Sequence, residues 1–226
     1  VMAAIRLMQK KKRSVLGLAV VTPASVEHPE KVYDFFIENE ILDVDFLPCL
    51  LWDVDNNNPV APSVQPSEFA SFIIGIFDRW IDDNNPDIRI RYLENVLDGL
   101  LGGRPTLCRF NGGCENMLTI DYNGDIYPCD SFMVPDYKIG NILWDSLPDV
   151  LHSPHYLDFV KKSKTVSASC VKCQWFPMCH GGCAYYRYML NGRFTDSNYF
   201  CLARKKIFSH ISRQLSQYED LSEIGG

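Results

Sequence analysis

The sequence predicts an α/β protein in which a few βα units lead into a small, cysteine-rich α+β domain. Two observations favour this class: residues 1–58 alternate between helical and strand patterns, and eight of the nine cysteines lie after residue 107. The 226 residues are 46% hydrophobic and 22% charged, enough for one large domain or two small ones. We expect βα units over 1–58, a linker with bridging helices over 59–105, and a cysteine-rich domain with a C-terminal helix over 106–226.

The first segment alternates helix and strand twice. Its predicted elements are helix Met2–Lys12, strand Ser14–Thr22, helix Pro29–Glu38 and strand Ile41–Leu51. Val32, Phe35 and Phe36 define the apolar face expected for the second helix. Parallel strands are normally buried on both faces, so two of them need further strands to form a stable sheet. We expect those strands from sequence before Val1, and the missing initiator Met agrees with a piece of a longer protein.

The middle segment begins with Asp53–Pro66, whose Asn, Asp and Pro content predicts a linker. A helix then starts at Pro66 and ends before Asn84. Its apolar positions, spaced by three and four, are Phe69, Phe72, Ile73, Ile76, Phe77 and Trp80. Ile88–Leu101 is a second amphipathic segment. Both patterns predict helices that pack against a core.

The third segment contains short elements. Asn123-Gly124 between apolar residues predicts a two-residue hairpin with a type I′ turn. Short helices are expected around Leu147–Leu151 and Pro154–Lys162. The last helix carries apolar residues at Ile207, Phe208, Ile211, Leu215 and Tyr218.

Charge and hydropathy exclude several classes of protein. The net charge of −6 argues against nucleic acid as the main partner, because phosphate is bound by concentrated Lys and Arg. No apolar run approaches the roughly 18 residues that span a bilayer, and no secretory signal opens the chain. We therefore expect a cytoplasmic protein with no membrane or nucleic-acid partner.

The cysteines carry the strongest chemical signal. They are spaced Cys108-x5-Cys114-x14-Cys129 and Cys170-x2-Cys173-x5-Cys179-x3-Cys183-x17-Cys201. Eight thiolates divide into two sets of four, as two four-iron clusters require. Two structural zinc sites would use the same donors, and disulfides suit an odd, clustered total less well. Cys49, the ninth, is interpreted as a buried thiol near a strand end.

Several motifs around these cysteines resemble a known family. They are Tyr127-Pro128-Cys129-Asp130, Val134–Ile142 with Gly140-Asn141-Ile142, Cys179-His180-Gly181-Gly182-Cys183, and Phe72–Trp80. Together they are similar to the SPASM auxiliary-cluster domain of radical SAM enzymes, and to the anaerobic sulfatase-maturating enzymes in particular. The resemblance implies that 1–58 forms the closing βα units of a partial (β/α) radical SAM barrel.

The resemblance also implies the ligand sets. One four-iron cluster would be held by Cys108, Cys114, Cys129 and Cys183, and the other by Cys170, Cys173, Cys179 and Cys201. The CxxxCxxC motif that holds the SAM-cleaving cluster is absent, since position 186, three residues after Cys183, is tyrosine. This chain alone is therefore expected not to cleave S-adenosylmethionine, and the third cluster and SAM site are expected in a preceding N-terminal half.

Asp130 follows the predicted ligand Cys129 directly. The resemblance implies that it is the base that takes a proton from the substrate Cys or Ser. A carboxylate shielded from water near a cluster can have its pKa raised towards the working range. The alternative is an aspartate that shapes the turn after Cys129.

The function implied is that of the C-terminal part of a radical SAM/SPASM maturase. Such an enzyme abstracts hydrogen from a substrate Cβ, and the surplus electron passes to the cluster of Cys108, Cys114, Cys129 and Cys183. A sulfatase maturase converts Cys or Ser to formylglycine; its partners would be a sulfatase and an electron-donor protein. Two alternatives stay open: a maturase that forms cyclophane or thioether crosslinks in a ribosomally made precursor peptide, and a stand-alone electron-transfer or peptide-binding module.

Overall fold

The computed structural model of the chain describes residues 1–53, 56, 58–115 and 117–224, with side chains described up to residue 217. It divides into two compact units. The first comprises Val1–Gly103 and Phe200–Gly226, and the second comprises Arg104–Tyr199. The structure thus groups the C-terminal helix with the N-terminal elements, whereas the sequence analysis had assigned it to the cysteine-rich segment.

The elements are numbered along the chain. The first unit begins with α1 Met2–Lys10, β1 Leu16–Val21, α2 Pro29–Glu38, β2 Asp43–Pro48, β3 Leu51–Asp53, β4 Asn58–Val60, α3 Pro66–Asp83, β5 Arg89–Ile90 and α4 Arg91–Leu100. The second unit contains α5 Cys108–Asn111, β6 Thr119–Ile120, β7 Asp125–Tyr127, β8 Gly140–Asn141, α6 Leu147–Leu151, α7 Pro154–Ser163, α8 Ala168–Val171, α9 Phe176–Cys179 and α10 Tyr185–Asn191. Two 3-10 turns lie at Asp130–Phe132 and Pro135–Tyr137, and α11 Cys201–Ile224 returns to the first unit.

The sheet of the first unit has the order β1-β2-β5 and is parallel throughout. Helix α2 provides the crossover that parallel neighbours require. The third strand is Arg89–Ile90, which pairs with Asp43 and Val44. The amphipathic segment predicted over Ile88–Leu101 is helical only from Arg91 to Leu100, and Arg89 and Ile90 form a strand instead, with Ile90 buried in the sheet. A third strand therefore comes from within this chain.

Helix α2 is confirmed, but the face predicted to be buried was partly wrong. Phe36 packs edge-to-face against Phe46 of β2, with 6.1 Å between the ring centres. Phe35 is 47% exposed, and Tyr33 is buried instead, with its hydroxyl donating to Asp83 at 2.8 Å. Three apolar side chains of the outer strand β1 are exposed by more than half: Leu16, Leu18 and Val20.

The predicted linker Asp53–Pro66 contains part of a hairpin. Strands β3 and β4 are antiparallel, with Leu51 opposite Val60 and Asp53 opposite Asn58. Helix α3 then forms as predicted. Its first turn is capped by the Gln65 backbone N–H, which donates to Glu68 at 2.7 Å, and it ends at Asn84 in the left-handed conformation. Five of the six predicted stripe residues are at most 3% exposed: Phe69, Phe72, Ile73, Ile76 and Phe77.

Helix α11 packs on α3 within the first unit. Lys206 donates to the Ser71 hydroxyl at 3.0 Å, and His210 lies 2.6 Å from Asp78. Its predicted apolar residues Ile207, Phe208 and Ile211 are fully buried, which confirms that part of the stripe. The side chain of Tyr218, also predicted to lie there, is outside the described residues.

The hairpin of the second unit is confirmed, but its turn type was predicted wrongly. Ile120 pairs with Ile126, and the Gly124 N–H donates to the Asp121 carbonyl at 2.9 Å. Only Gly124 has a positive φ (+87°), so the loop is a turn followed by a left-handed glycine, not a type I′ turn. Strand β8 pairs on the other side of β7 and extends the hairpin to three strands.

The core of the second unit is aromatic. Its buried residues are Phe132, Phe159, Ala184 and Phe194, and the half-buried residues packed against them include Tyr137 and Tyr188. Phe132 and Phe159 lie 5.0 Å apart in an edge-to-face arrangement. Two cysteines, Cys114 and Cys129, also pack on this cluster, which therefore supports the site directly.

Helices α6 and α7 confirm the short helices predicted around Leu147–Leu151 and Pro154–Lys162.

Among the described helices, none combines the length and the hydropathy needed to cross a membrane.

Candidate functional site

The cysteines of the first predicted set come from four different local structures. Cys108 is the first residue of α5 and Cys114 lies in the loop after it. Cys129 follows β7 and precedes the first 3-10 turn. Cys183 follows a glycine pair, and its carbonyl accepts a hydrogen bond from Asn198 at 3.0 Å. Cys108 is exposed, while the other three are half-buried.

Glycines allow the two cysteine-bearing loops to approach each other. Gly112 has φ +69°, and a Cβ placed on it would lie 2.8 Å from the Cβ of His180. His180 is itself left-handed, at φ 47°, and is followed by Gly181 and Gly182 at φ +80° and +72°. A residue other than glycine at position 112 would therefore force the loops apart. This close contact brings together segments that are distant in sequence.

The four thiols of this set are electrostatic neighbours. Burial is the largest influence on three of them and raises the pKa of Cys114 to about 11 and that of Cys129 to about 12. The surroundings of the Cys108 sulfur also raise its pKa, although the residue as a whole is exposed. In all three cases charge on Cys183 raises the pKa further. A thiolate at any one position thus disfavours ionisation of the others unless a cation joins them.

Three cysteines of the second predicted set lie in one short stretch of the second unit. The Ser167 hydroxyl caps α8 by accepting from the Cys170 N–H at 3.2 Å. The Cys173 N–H donates to the Cys170 carbonyl at 3.0 Å and closes a tight turn. Cys179 is the last residue of α9. Cys201, the fourth member, is the first residue of α11 and belongs to the first unit.

The donor chemistry fits iron–sulfur clusters, because each predicted set consists only of cysteine thiols. In the described part of the chain, no three His, Cys, Asp or Glu side chains are grouped so that they could hold a metal ion. A cluster separates its cysteines by several irons and sulfides, so its ligands need not converge as closely as those of one ion. Ligation also requires thiolates, and the raised pKa values mean that metal uptake would release protons.

Asp130 contacts the site through Cys129. Its carboxylate accepts the Cys129 thiol at 3.1 Å and the Ser131 N–H at 2.9 Å. The second bond shapes the 3-10 turn, as the structural alternative predicted. Asp130 is solvent-exposed in this chain.

One residue of the site was missed by the sequence analysis. Arg187 of α10 is 1% exposed; burial lowers its pKa, and charge on cysteines of both predicted sets opposes that effect. The available signal was an arginine one helical turn beyond Cys183 in an otherwise apolar segment.

Comparisons with known proteins find an iron–sulfur family over part of this region. Residues 108–174 match the SPASM family, described as an iron–sulfur cluster-binding domain. The cysteine-type anaerobic sulfatase-maturating enzyme of Clostridium perfringens (strain 13 / Type A) is 29% identical over 94% of this chain and 58% of its own length. The serine-type enzyme of Bacteroides thetaiotaomicron is 27% identical over 94% of this chain and 55% of its own length.

Solved structures give the same result. Native anSMEcpe with bound AdoMet superposes with a TM-score of 0.87 at 29% identity, covering 96% of this chain and 60% of that one. A second structure of anSMEcpe contains AdoMet and the Cp18Cys peptide and has the same TM-score. The present chain spans somewhat more than half the length of the curated relatives that it matches.

Proposed function

Over nearly its whole length the chain is similar to the C-terminal part of radical SAM/SPASM sulfatase-maturating enzymes, and we propose that it acts as that part of a maturase that oxidises a Cys or Ser residue to formylglycine. The observation that carries this proposal is the SPASM match over residues 108–174, which contains Cys108, Cys114 and Cys129, three thiols whose pKa values are raised by charge on Cys183. Sulfatase-maturating enzymes of both the cysteine and the serine type are among its relatives.

The chain's own residues would hold two auxiliary four-iron clusters. One would use Cys108, Cys114, Cys129 and Cys183, and the other Cys170, Cys173, Cys179 and Cys201. When bound, these clusters supply an electron acceptor within the protein, while SAM and a third cluster supply hydrogen abstraction in a preceding segment. The aromatic core around Phe132 fixes the loops of Cys114 and Cys129 and excludes water from one side of their sulfurs.

Asp130 is proposed to accept the proton that the substrate thiol or hydroxyl loses. The carboxylate is one residue from a predicted ligand and open to solvent, so a peptide could reach it. Its bond to the Ser131 N–H holds one carboxylate oxygen in place and leaves the other for the substrate. The substrate would be a sulfatase segment, in keeping with the peptide bound in one structure of the relative.

We also propose a cytoplasmic location and an electron-donor protein as partner. Eight reduced thiols suit a reducing compartment, and the electron taken from each substrate has to leave the enzyme before the next turnover.

The full-length protein, with its upstream segment and loaded with iron, tests the proposal. Incubated with SAM, a reductant and a peptide containing the target Cys or Ser, it should produce an aldehyde that reacts with a hydrazide probe. A peptide with Ala at the target should not react. A product that has lost two hydrogens and contains no aldehyde would instead identify a crosslinking maturase.

Asp130→Asn in that protein should slow aldehyde formation by roughly 100-fold, the usual contribution of a general base. Iron content and SAM cleavage should stay unchanged, because the carboxamide introduced would disturb neither the thiolates nor hydrogen abstraction. The matched control is Asp136→Asn, an exposed aspartate in the next 3-10 turn. A normal rate, or a loss of iron, in Asp130→Asn would leave Asp130 with a structural role.

A further inference from the structure

Arg187 is a buried cation without a carboxylate partner. It is 1% exposed, and within the described residues its guanidinium forms no ion pair with Asp or Glu. Burying a charge is costly unless it is paired or fully hydrogen-bonded. A protein that retains such a group therefore needs either a complete set of hydrogen bonds or a negative charge that the chain itself does not supply.

The hydrogen bonds of Arg187 engage every nitrogen and all go to backbone carbonyls. Nε donates to Phe194 at 2.9 Å, Nη1 donates to Gly182 at 2.8 Å, and Nη2 donates to Ser163. The guanidinium is consequently fixed in one orientation. A Cβ on Gly181 would come within 3.0 Å of Nη1, so the glycine pair before Cys183 is also what lets the loop fold over the cation.

These carbonyls neutralise none of the charge, and the groups around Arg187 that can become negative are cysteines. The ones that act on it are Cys183, Cys114, Cys170 and Cys179. The first two belong to one predicted ligand set and the last two to the other. All four lie in the second unit. Gly182, whose carbonyl accepts from Nη1, directly precedes Cys183, and its N–H donates to the Cys179 carbonyl at 2.7 Å, so the contact made by Arg187 reaches a member of each set.

We propose that Arg187 is the shared counter-charge of the two predicted clusters: held by three carbonyls, its guanidinium stabilises their anionic, reduced states and positions Cys183 through Gly182. This inference rests on the ligand assignment proposed above. Reduction adds one electron and no proton, so the reduced cluster carries one more negative charge. A fixed cation nearby favours that state and raises the reduction potential.

Variants of the iron-loaded protein separate charge from hydrogen bonding. Arg187→Gln removes the charge, whereas Arg187→Lys keeps it but cannot reach all three carbonyls. The ratio of reduced to oxidised cluster at a fixed potential should fall about tenfold in Arg187→Gln, which is about 59 mV for a one-electron couple. In Arg187→Lys it should stay within about twofold of wild type. The site of Cys114 and Cys183 should shift most, because Gly182, which accepts from Arg187 at 2.8 Å, directly precedes Cys183.

Redox titration followed by electron paramagnetic resonance measures this ratio, and iron analysis accompanies it. Arg193→Gln is the matched control, because its side chain is 68% exposed in the same unit and water screens its charge. If Arg187→Gln loses iron during preparation while Arg187→Lys retains it, the counter-charge role is again supported.

If Arg187→Gln and Arg187→Lys behave alike, with both potentials unshifted or both proteins losing iron, the charge has no role. Arg187 would then act only through its hydrogen bonds to the three carbonyls. A wild-type protein that binds zinc and no iron rejects the ligand assignment itself, and this inference with it. The two failures are therefore distinguishable.

Discussion

The two units of the chain are stabilised in different ways. In the first, α3 alone spans 18 residues and five of its large apolar side chains are buried against its neighbours. In the second, described helices have 4 to 10 residues, and the aromatic core around Phe132 is bordered by cysteines. Burial of apolar area can stabilise the first unit by itself. The second has short elements, and we expect their geometry to depend on what joins its thiols.

The largest effect expected from this contrast concerns removal of metal. Chelation of iron from the loaded protein should raise amide exchange through residues 104–199 by about 100-fold or more, while α3 keeps its protection. The physical reason is that protonated thiols do not attract one another, so the loops lose their common anchor. Hydrogen exchange with mass spectrometry measures both regions in one sample. An equal loss of protection in both would show that the second unit does not depend on metal.

A more local prediction separates the two ligand sets. Cys129→Ala and Cys183→Ala should each abolish one spectroscopic cluster signal and spare the other, because both residues are assigned to the same site. Cys173→Ala should abolish the second signal, and Cys49→Ala, outside both sets, should change neither. Iron analysis and electron paramagnetic resonance distinguish the cases. If Cys183→Ala and Cys173→Ala erase the same signal, the interleaved assignment is wrong.

The smallest expected effect lies in the first unit and depends on pH. Burial alone would raise the pKa of Asp83, but the Tyr33 hydroxyl and the Arg79 guanidinium more than offset it, and the pKa is lowered from its usual 3.8. A lowered folded-state pKa adds stability above the unfolded pKa, and this stability is lost as pH falls through the folded value. Asp83→Asn should therefore cost about 1 kcal/mol at pH 7 and almost nothing below the folded pKa.

Denaturant unfolding at several pH values checks this prediction. Asp82→Asn, on the exposed side of the same helix, is the control and should be close to neutral throughout. A cost for Asp83→Asn that does not change with pH would mean that the contact is steric, without a contribution from charge.

Much of the fold could be read from local pattern. The boundaries of α2 and the stripe of α3 follow from proline, capping residues and a spacing of three and four, which act over one or two turns. The hairpin around Gly124 was also predictable, although its turn type was not. The loop is longer than a two-residue turn, because the Gly124 N–H bonds to the Asp121 carbonyl. In this longer loop only Gly124 adopts the left-handed conformation, and Asn123 keeps a negative φ.

Elements decided by distant partners were less predictable. Arg89–Ile90 becomes a strand because β2 offers an open edge, although its own sequence favours the helix that follows. Tyr33 replaces Phe35 on the buried face of α2, because the Tyr33 hydroxyl donates a hydrogen bond to Asp83, fifty residues away in the sequence. Such choices depend on contacts that no short window of sequence contains.

The sequence by itself identified the eight candidate cysteine ligands, because thiols at these spacings have few chemical uses, and its resemblance to a known family added Asp130. Only the tertiary structure showed that charge on Cys183 raises the pKa of Cys108, Cys114 and Cys129, and that Arg187 is buried in the same unit. The spacing of the cysteines shows which ligand side chains the chain can offer. Burial and charge depend on which segments fold against each other, and the close approach of Gly112 to His180 is one such contact.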